Sequence, residues 1–281
     1  MPEPLTLMAV HAHPDDEVIG TGGILARYGT AGVRTVLVTC TDGRQGDGPG
    51  GIKPGDHGHD EDEVVRLRRE ELERSCEILG VSHLEMLGYR DSGMEGWDAN
   101  GRPDAFCNIP LDTAAARLSE LIERYRPQVV VTYDENGAYG HPDHIQAHRV
   151  AMAATEQTGI PQKLYYTAIP RSALRAWAEG MRAAGIDLVE LGFPDVPEEG
   201  DPPFGTPDEL IGAVVDVSGH TDRKREALHA HASQAENFFL LRLPDEAWRM
   251  AFSSEYFVRV RTREPVDPAV VEDDLFSGVG R

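Results

Sequence analysis

The chain has 281 residues, 40% hydrophobic and 27% charged, enough for one large domain that buries a core without staples. Its formal net charge of -21 repels nucleic acid and anionic membrane surfaces at long range, is compatible with a neutral or zwitterionic small molecule, and otherwise serves solubility. No apolar run approaches the roughly 18 residues needed to span a bilayer; the opening Met1-Pro2-Glu3-Pro4 lacks the basic and apolar regions of a signal peptide, so the expected location is cytoplasmic.

In chain order, an apolar run predicts a buried strand over Leu5–His11, followed by a helix through Thr21–Tyr28 that ends near Gly29 and Gly32. A strand over Arg34–Cys40 leads into a Gly-rich stretch from Asp42 to Asp60. A helix over Glu61–Leu79 stops at Gly80, and a strand follows at His83–Leu87. After a loop with Gly93, Gly96 and Gly101, a helix capped by Asp112 runs to Tyr125, with Ala114, Leu118, Leu121 and Ile122 at helical spacing. A strand over Gln128–Tyr133, a helix ending at Thr158 and a strand over Lys163–Thr167 complete the regular part. This alternation predicts an α/β, Rossmann-like parallel sheet with helices on both faces. The first and fourth strands are expected as neighbours at the point where the winding reverses, which is where such sheets bind ligands. The second half is less regular: an exposed loop over Gly192–Asp208, a strand over Ala213–Val217, a helix over Asp222–Ala232, and an extended, partly mobile tail from Glu264. The expectation is one domain over 1–281, with a core over 1–170 and a C-terminal elaboration over 171–281 completing the pocket.

Two blocks carry chemistry. His13-Pro14-Asp15-Asp16 follows the first strand, and His141-Pro142-Asp143-His144 follows the fourth. A catalytic zinc takes three protein ligands and keeps a position open for water. His13 and Asp16 can reach one ion from a tight turn, and His144 supplies the third ligand from across the switch point. Asp15, adjacent and unclaimed, can act as general base on the activated water. His141 as imidazolium can stabilise an oxyanion and protonate a leaving amine. Asp143 can orient a histidine through its second ring nitrogen. A closed structural metal site would use a fourth protein ligand, and a non-catalytic metal-bound scaffold or sensor is the reading from another class.

The run Ala12-His13-Pro14-Asp15-Asp16-Glu17, with Tyr133-Asp134-Glu135-Asn136-Gly137-Ala138-Tyr139-Gly140-His141-Pro142-Asp143-His144, resembles the LmbE-like (PIG-L) zinc deacetylases. Within that family it is most similar to the mycothiol-pathway branch of N-acetylglucosaminyl-inositol deacetylases and mycothiol S-conjugate amidases. Further matches are Arg90-Asp91-Ser92-Gly93, Lys163-Leu164-Tyr165-Tyr166 and Ala230-His231-Ala232-Ser233-Gln234. The resemblance implies zinc on His13, Asp16 and His144, with iron(II) able to replace it, Asp15 as base and His141 at the oxyanion. It also implies that Tyr139 closes on the substrate carbonyl, a role spacing alone would not reveal. The implied substrate is a small N-acylated amino sugar; homo-oligomerisation is left open.

Arg68 lies on the inward stripe of its helix with Leu72, Cys76 and Leu79, and Asp91 follows a strand at the carboxyl edge. Either can be an ordinary salt-bridge residue; the resemblance makes both substrate-binding. The amidase pattern has a lysine shortly after the first block, where this chain reads Glu17-Val18-Ile19-Gly20-Thr21, although the C-terminal match is closer to the amidases. Both activities therefore stay open.

Other signals are weaker. His57, His59, Asp60 and Glu61 resemble a metal cluster but are expected in a solvated flexible loop, or as part of a rim or lid. Gly20-Thr21-Gly22-Gly23 fails the dinucleotide fingerprint, because its third glycine would fall at Leu25. No G-x-S-x-G or cysteine-nucleophile context appears. Cys40, Cys76 and Cys107 read as buried small hydrophobes. His11 reads as a satisfied buried histidine and His148 as packing; His231 and Gln234 are candidates to complete the pocket.

Overall fold

Every residue of the first strand, β1 (Thr6–His11), is buried, as is every residue of β4 (Val129–Thr132). Continuous apolar runs of this kind suit central parallel strands covered on both faces. In the computed structural model, residues 4–280 are described apart from 188, 190–194, 198, 199, 201, 203 and 235–238. The remaining strands are β2 (Arg34–Thr41), β3 (His83–Tyr89), β5 (Lys163–Ala168), β6 (Ile211–Asp216) and β7 (Ser254–Thr262). The helices are α1 (Asp16–Thr30), α2 (Glu61–Leu79), α3 (Leu111–Tyr125), a single distorted turn α4 (Gly137–Gly140), α5 (Pro142–Thr158), α6 (Arg171–Ala183), α7 (Thr221–Ala230) and α8 (Asp245–Phe252).

The sheet has seven strands in the order β3-β2-β1-β4-β5-β7-β6. β1 pairs in parallel with both β2 and β4, so the winding reverses between β1 and β4 as expected. Successive residues of β1 serve opposite cores. Leu7 and Ala9 pack with Leu37, Val129 and Val131 under α1, α2, α6, α7 and α8; Met8 and Val10 pack with Val36, Val38 and Val130 under α3 and α5.

The sheet is not wholly parallel. β7 runs antiparallel to both β5 and β6 and joins them. Its polar-apolar alternation is obscured by Glu255, a buried acid that accepts bonds from Gly23 N–H (2.7 Å), Ile24 N–H (2.8 Å) and Lys224 Nζ (2.7 Å). The tail beyond Glu264 returns to the sheet, where Glu272 exchanges main-chain bonds with Gly212 and Val214 of β6. The loop expected over Gly192–Asp208 lies partly outside the described residues. Asp112 is not a cap: α3 starts at Leu111, with Pro110 before it and Asp112 in its first turn. α1 starts at Asp16, five residues before the expected Thr21, directly from the first histidine block. Gly20, Gly22 and Gly23 masked that start, since glycine disfavours helix interiors. Gly23 is there for packing: a Cβ would lie 2.6 Å from Val217 Cγ2.

Candidate active site

The turn leaving β1 and the turn leaving β4 meet. His13 Nδ1 lies 3.2 Å from Asp16 Oδ2, His144 Nε2 lies 3.4 Å from the same oxygen, and the two ring nitrogens are 3.3 Å apart. Bonds of about 2.0–2.1 Å from a tetrahedral ion give ligand-to-ligand edges of about 3.3–3.4 Å. The three atoms therefore already have the spacing of three corners of such a shell.

The outer hydrogen bonds aim these atoms. His13 Nε2 faces Asp143 Oδ2 at 3.2 Å, and His144 Nδ1 faces the Gly137 carbonyl at 3.2 Å, so each ring can donate outward and turn its other nitrogen inward. Asp143 is held in turn by the Ser92 N–H (2.8 Å) and hydroxyl. Tyr133 O–H (2.7 Å) and the His13 N–H (2.8 Å) both donate to Asp16 Oδ2. Gly137 has φ +59 and sits so close to α5 that a Cβ would be 2.6 Å from that of His144.

The electrostatics fit a cation. Burial would lower the His13 imidazole, but Asp91, Asp143 and Asp16 outweigh it and hold the ring well above its usual range. Burial would raise Asp16, yet His144 and His13 hold it well below the usual carboxylate range. Two inward ring nitrogens and a carboxylate oxygen at this spacing repel unless a proton or a metal ion lies among them. The donor set thus matches a divalent ion chemically as well as geometrically.

Asp15 stands beside the cluster at φ 103, a region L residues rarely adopt and one that costs about 1–3 kcal/mol. Arg68 donates to Asp15 Oδ2 (2.8 Å), to the Pro14 carbonyl and to the Gly43 carbonyl (2.7 Å). The inward stripe of α2 is as expected, with Arg68, Leu72, Cys76 and Leu79 all buried. Gly46 explains part of the Gly-rich stretch: a Cβ there would stand 2.5 Å from the Arg68 guanidinium. Burial, opposed by Arg68, pushes Asp15 up to about 6.

A cavity of about 170 Å³ opens over these groups; its walls include His13, Asp15, Asp16, Arg68 and Asp91 as well as Met94, Trp97, Tyr139 and His141. Tyr139 is exposed at the mouth, its ring centroid 5.0 Å from that of His144. His141 caps α5, its Nδ1 accepting the Asp143 N–H at 3.1 Å. Burial, with His13 and His144 adding to it, lowers His141 to about 3, so it rests neutral with its proton on Nε2 rather than as the expected imidazolium. Asp91 accepts from the Gly93 N–H (2.8 Å) and the Gln45 N–H (3.1 Å), and its Oδ1 lies 3.5 Å from His13 Nε2. Of the site residues expected from the sequence, His13, Asp15, Asp16, Arg68, Asp91, Tyr139 and His141 line this cavity, while His144 and Asp143 lie behind it against His13.

The second histidine-rich cluster is structural. Asp60 caps α2, Glu61 pairs with Arg44 (3.2 Å) and Arg90, and His59 meets the Gly46 carbonyl at 2.9 Å. His11 is satisfied by Thr21 (2.8 Å), and His148 by the Tyr133 carbonyl (3.0 Å). Cys40 and Cys76 are buried as expected, whereas Cys107 is only half-buried. Sequence reasoning missed Tyr133, Ser92 and Glu17 as supports of the site. Tyr133 ends the apolar run before the second block, and Glu17 follows the first, so proximity was their only signal.

A doubly wound sheet with a His/Asp cluster able to hold a metal ion at its switch point, and a further acid beside it, is an α/β architecture suited to metal-assisted hydrolysis. The chain belongs to the PIG-L family: the family model described as GlcNAc-PI de-N-acetylase matches residues 8–155. It is 45% identical, over 98% of its length and 95% of the relative, to the 1D-myo-inositol 2-acetamido-2-deoxy-alpha-D-glucopyranoside deacetylase of Acidothermus cellulolyticus. Against the protein of the same name from Geodermatophilus obscurus it is 41% identical, over 97% of each chain. The N,N'-diacetylchitobiose deacetylase of Pyrococcus horikoshii shares the fold, with a TM-score of 0.54 and 21% identity over 91% of this chain and 83% of that one. Among the described residues no helix is long and apolar enough to cross a membrane.

Proposed function

We propose that this chain is a zinc-dependent N-deacetylase that hydrolyses the acetamido group of an N-acetylglucosaminyl-inositol. The observation that carries the reading is the triplet His13, Asp16 and His144, whose facing atoms lie 3.2–3.4 Å apart with Asp15, held by Arg68, beside them. The near full-length likeness to relatives named for this deacetylation supports the substrate class.

His13, Asp16 and His144 would hold the ion. When bound, it supplies the Lewis acidity that polarises an amide carbonyl and lowers the pKa of a water to about 7. Asp15 takes the proton from the attacking water. The oxyanion that forms on the amide carbon accepts a bond from His141, whose Nε2–H is left free because Nδ1 is used by the Asp143 N–H. Tyr139, exposed at the mouth, swings its phenol to the same oxygen. The C–N bond then breaks, Asp15 passes its proton to the departing nitrogen, and an amine and acetate are released. Arg68 orients Asp15 and borders the sugar. Asp91 backs His13 and offers its carboxylate to hydroxyls at the cavity wall. Asp143 keeps His13 turned inward.

The test is amine release by the zinc-loaded protein from N-acetylglucosaminyl-inositol, a mycothiol S-conjugate and N-acetylglucosamine, side by side. The reading predicts the first as preferred substrate. Preference for the conjugate would make the chain an amidase, and stoichiometric zinc with no amine released from any of the three would make it a metal-bound scaffold. Metal analysis of protein purified without added zinc distinguishes zinc from iron(II).

A further inference from the structure

The segment after α7 reaches the site from the other end of the chain. His231 Nε2 lies 2.8 Å from Glu17 Oε1. Ser233 bonds through its N–H (2.6 Å) and hydroxyl (2.7 Å) to Glu71 on α2. Gln234 accepts from the Asp47 N–H (3.1 Å) and donates to the Asp47 carbonyl (3.0 Å). One short stretch thus ties together α1, α2 and the Gly-rich loop that cradles Arg68.

Glu17 is the unusual member. It sits in the first turn of α1, where an acid is favoured by the helix dipole, but it turns inward and both it and His231 are fully buried. Its Oε1 also accepts the Ser75 hydroxyl, and its Oε2 accepts the main-chain N–H of Asp15 at 2.9 Å. A buried carboxylate needs such partners. Asp15 itself holds a φ of 103, which persists only where surrounding groups enforce it. It is gripped twice: Arg68 holds the side chain and Glu17 holds the main chain.

We infer that His231, acting through Glu17, is a positioning residue that fixes the Asp15 turn so that the carboxylate faces the metal cluster. The inference rests on the reading of Asp15 as base. Without His231, Glu17 keeps Ser75 but loses the donor that anchors it, and its grip on the Asp15 N–H loosens. A displacement of the base on the order of 1 Å costs roughly 100-fold in rate.

The experiment compares wild type, His231→Ala, His231→Gln, Ser75→Ala and Asp15→Asn as full-length, zinc-loaded proteins, with cobalt(II)-substituted samples alongside. His231→Ala is expected to lower kcat about 10- to 100-fold, with KM, metal stoichiometry and the cobalt spectrum unchanged. His231→Gln, whose amide can still donate to Glu17, is expected to recover most of the rate. A lower melting temperature with unchanged kcat per metal-loaded chain would overturn the inference. So would a changed cobalt spectrum, because the effect would then lie on the metal ligands. If His231→Ala does not fold, Ser75→Ala carries the test, with a several-fold loss of kcat expected and no loss overturning it. Asp15→Asn separates the two readings. Full activity in Asp15→Asn would remove the base assignment and this inference with it, whereas an inactive Asp15→Asn beside an unaffected His231→Ala would remove the inference alone.

Discussion

The cluster at the ends of β1 and β4 and the cluster beneath β7 both bury acids, and they balance them differently. Beneath β7, Glu255 meets Lys224 (2.7 Å) and two helix N–H groups, and Glu272 meets Lys163 (2.6 Å), Arg259 (3.3 Å) and the Tyr165 hydroxyl (2.6 Å). Each acid there has its own cation. At β1 and β4, Asp15, Asp16, Glu17, Asp91 and Asp143 crowd together. Arg68, on Asp15, is the one permanently positive side chain bonded to them among the described residues. Further positive charge can come from protons on His13 and His231, both raised because neighbouring carboxylates outweigh burial, or from a metal ion. The first kind of cluster is complete as built and serves stability. The second leaves acids that a metal ion could balance, and on the proposed reading it serves chemistry.

Substitutions can break this contrast. Asp15→Asn should lower kcat by about 10²- to 10⁴-fold while zinc content and melting temperature stay near wild type, as read by steady-state kinetics with metal analysis. A large loss of stability instead would place Asp15 with the structural clusters. Lys224→Met should do the reverse: stranding Glu255 costs roughly 3–5 kcal/mol of stability in denaturant unfolding, with kcat per folded chain intact.

What the sequence revealed divides along the same line. The two histidine blocks, the helix over Glu61–Leu79 and the β1–β4 junction were legible, because buried parallel strands and ligand residues leave local patterns. β7 was not, because Glu255 sits buried where alternation would place a solvent-facing residue, and only its distant partner Lys224 makes that tolerable. α6 carries a readable stripe in Leu174, Trp177, Ala178 and Met181, which went unassigned beside an irregular loop. Tyr133 and Glu17 act through contacts more than 50 residues away, to Asp16 and Ser75 among others, which no local window contains.

Glu272 sharpens the comparison through pH. Burial would raise its carboxyl, but Lys163, Tyr165 and Arg259 outweigh it and hold it below its ordinary value. Its folded value lies below its unfolded one, so its contribution is fully present above roughly pH 4.3 and is lost as pH falls through the lower folded value. Glu272→Gln should cost about 1–3 kcal/mol at pH 7 and flatten the acid side of the stability curve. An unchanged curve would remove Glu272 from the ledger of that cluster. The exposed pair Arg66–Glu70 (2.9 Å) marks the lower end. Arg66→Ala should change stability by less than about 0.5 kcal/mol, and a larger effect would show that exposed pairs cannot be set apart from the buried ones as done here.

The central claim is that the β1–β4 cluster is completed by one divalent ion and is then an N-deacetylase. Titrating zinc into chelator-stripped protein while following amine release from N-acetylglucosaminyl-inositol tests it most directly. The account predicts no release without metal and a linear rise that breaks at one zinc per chain. Full activity in the stripped protein, or zinc bound at this stoichiometry with no amine released, would contradict it.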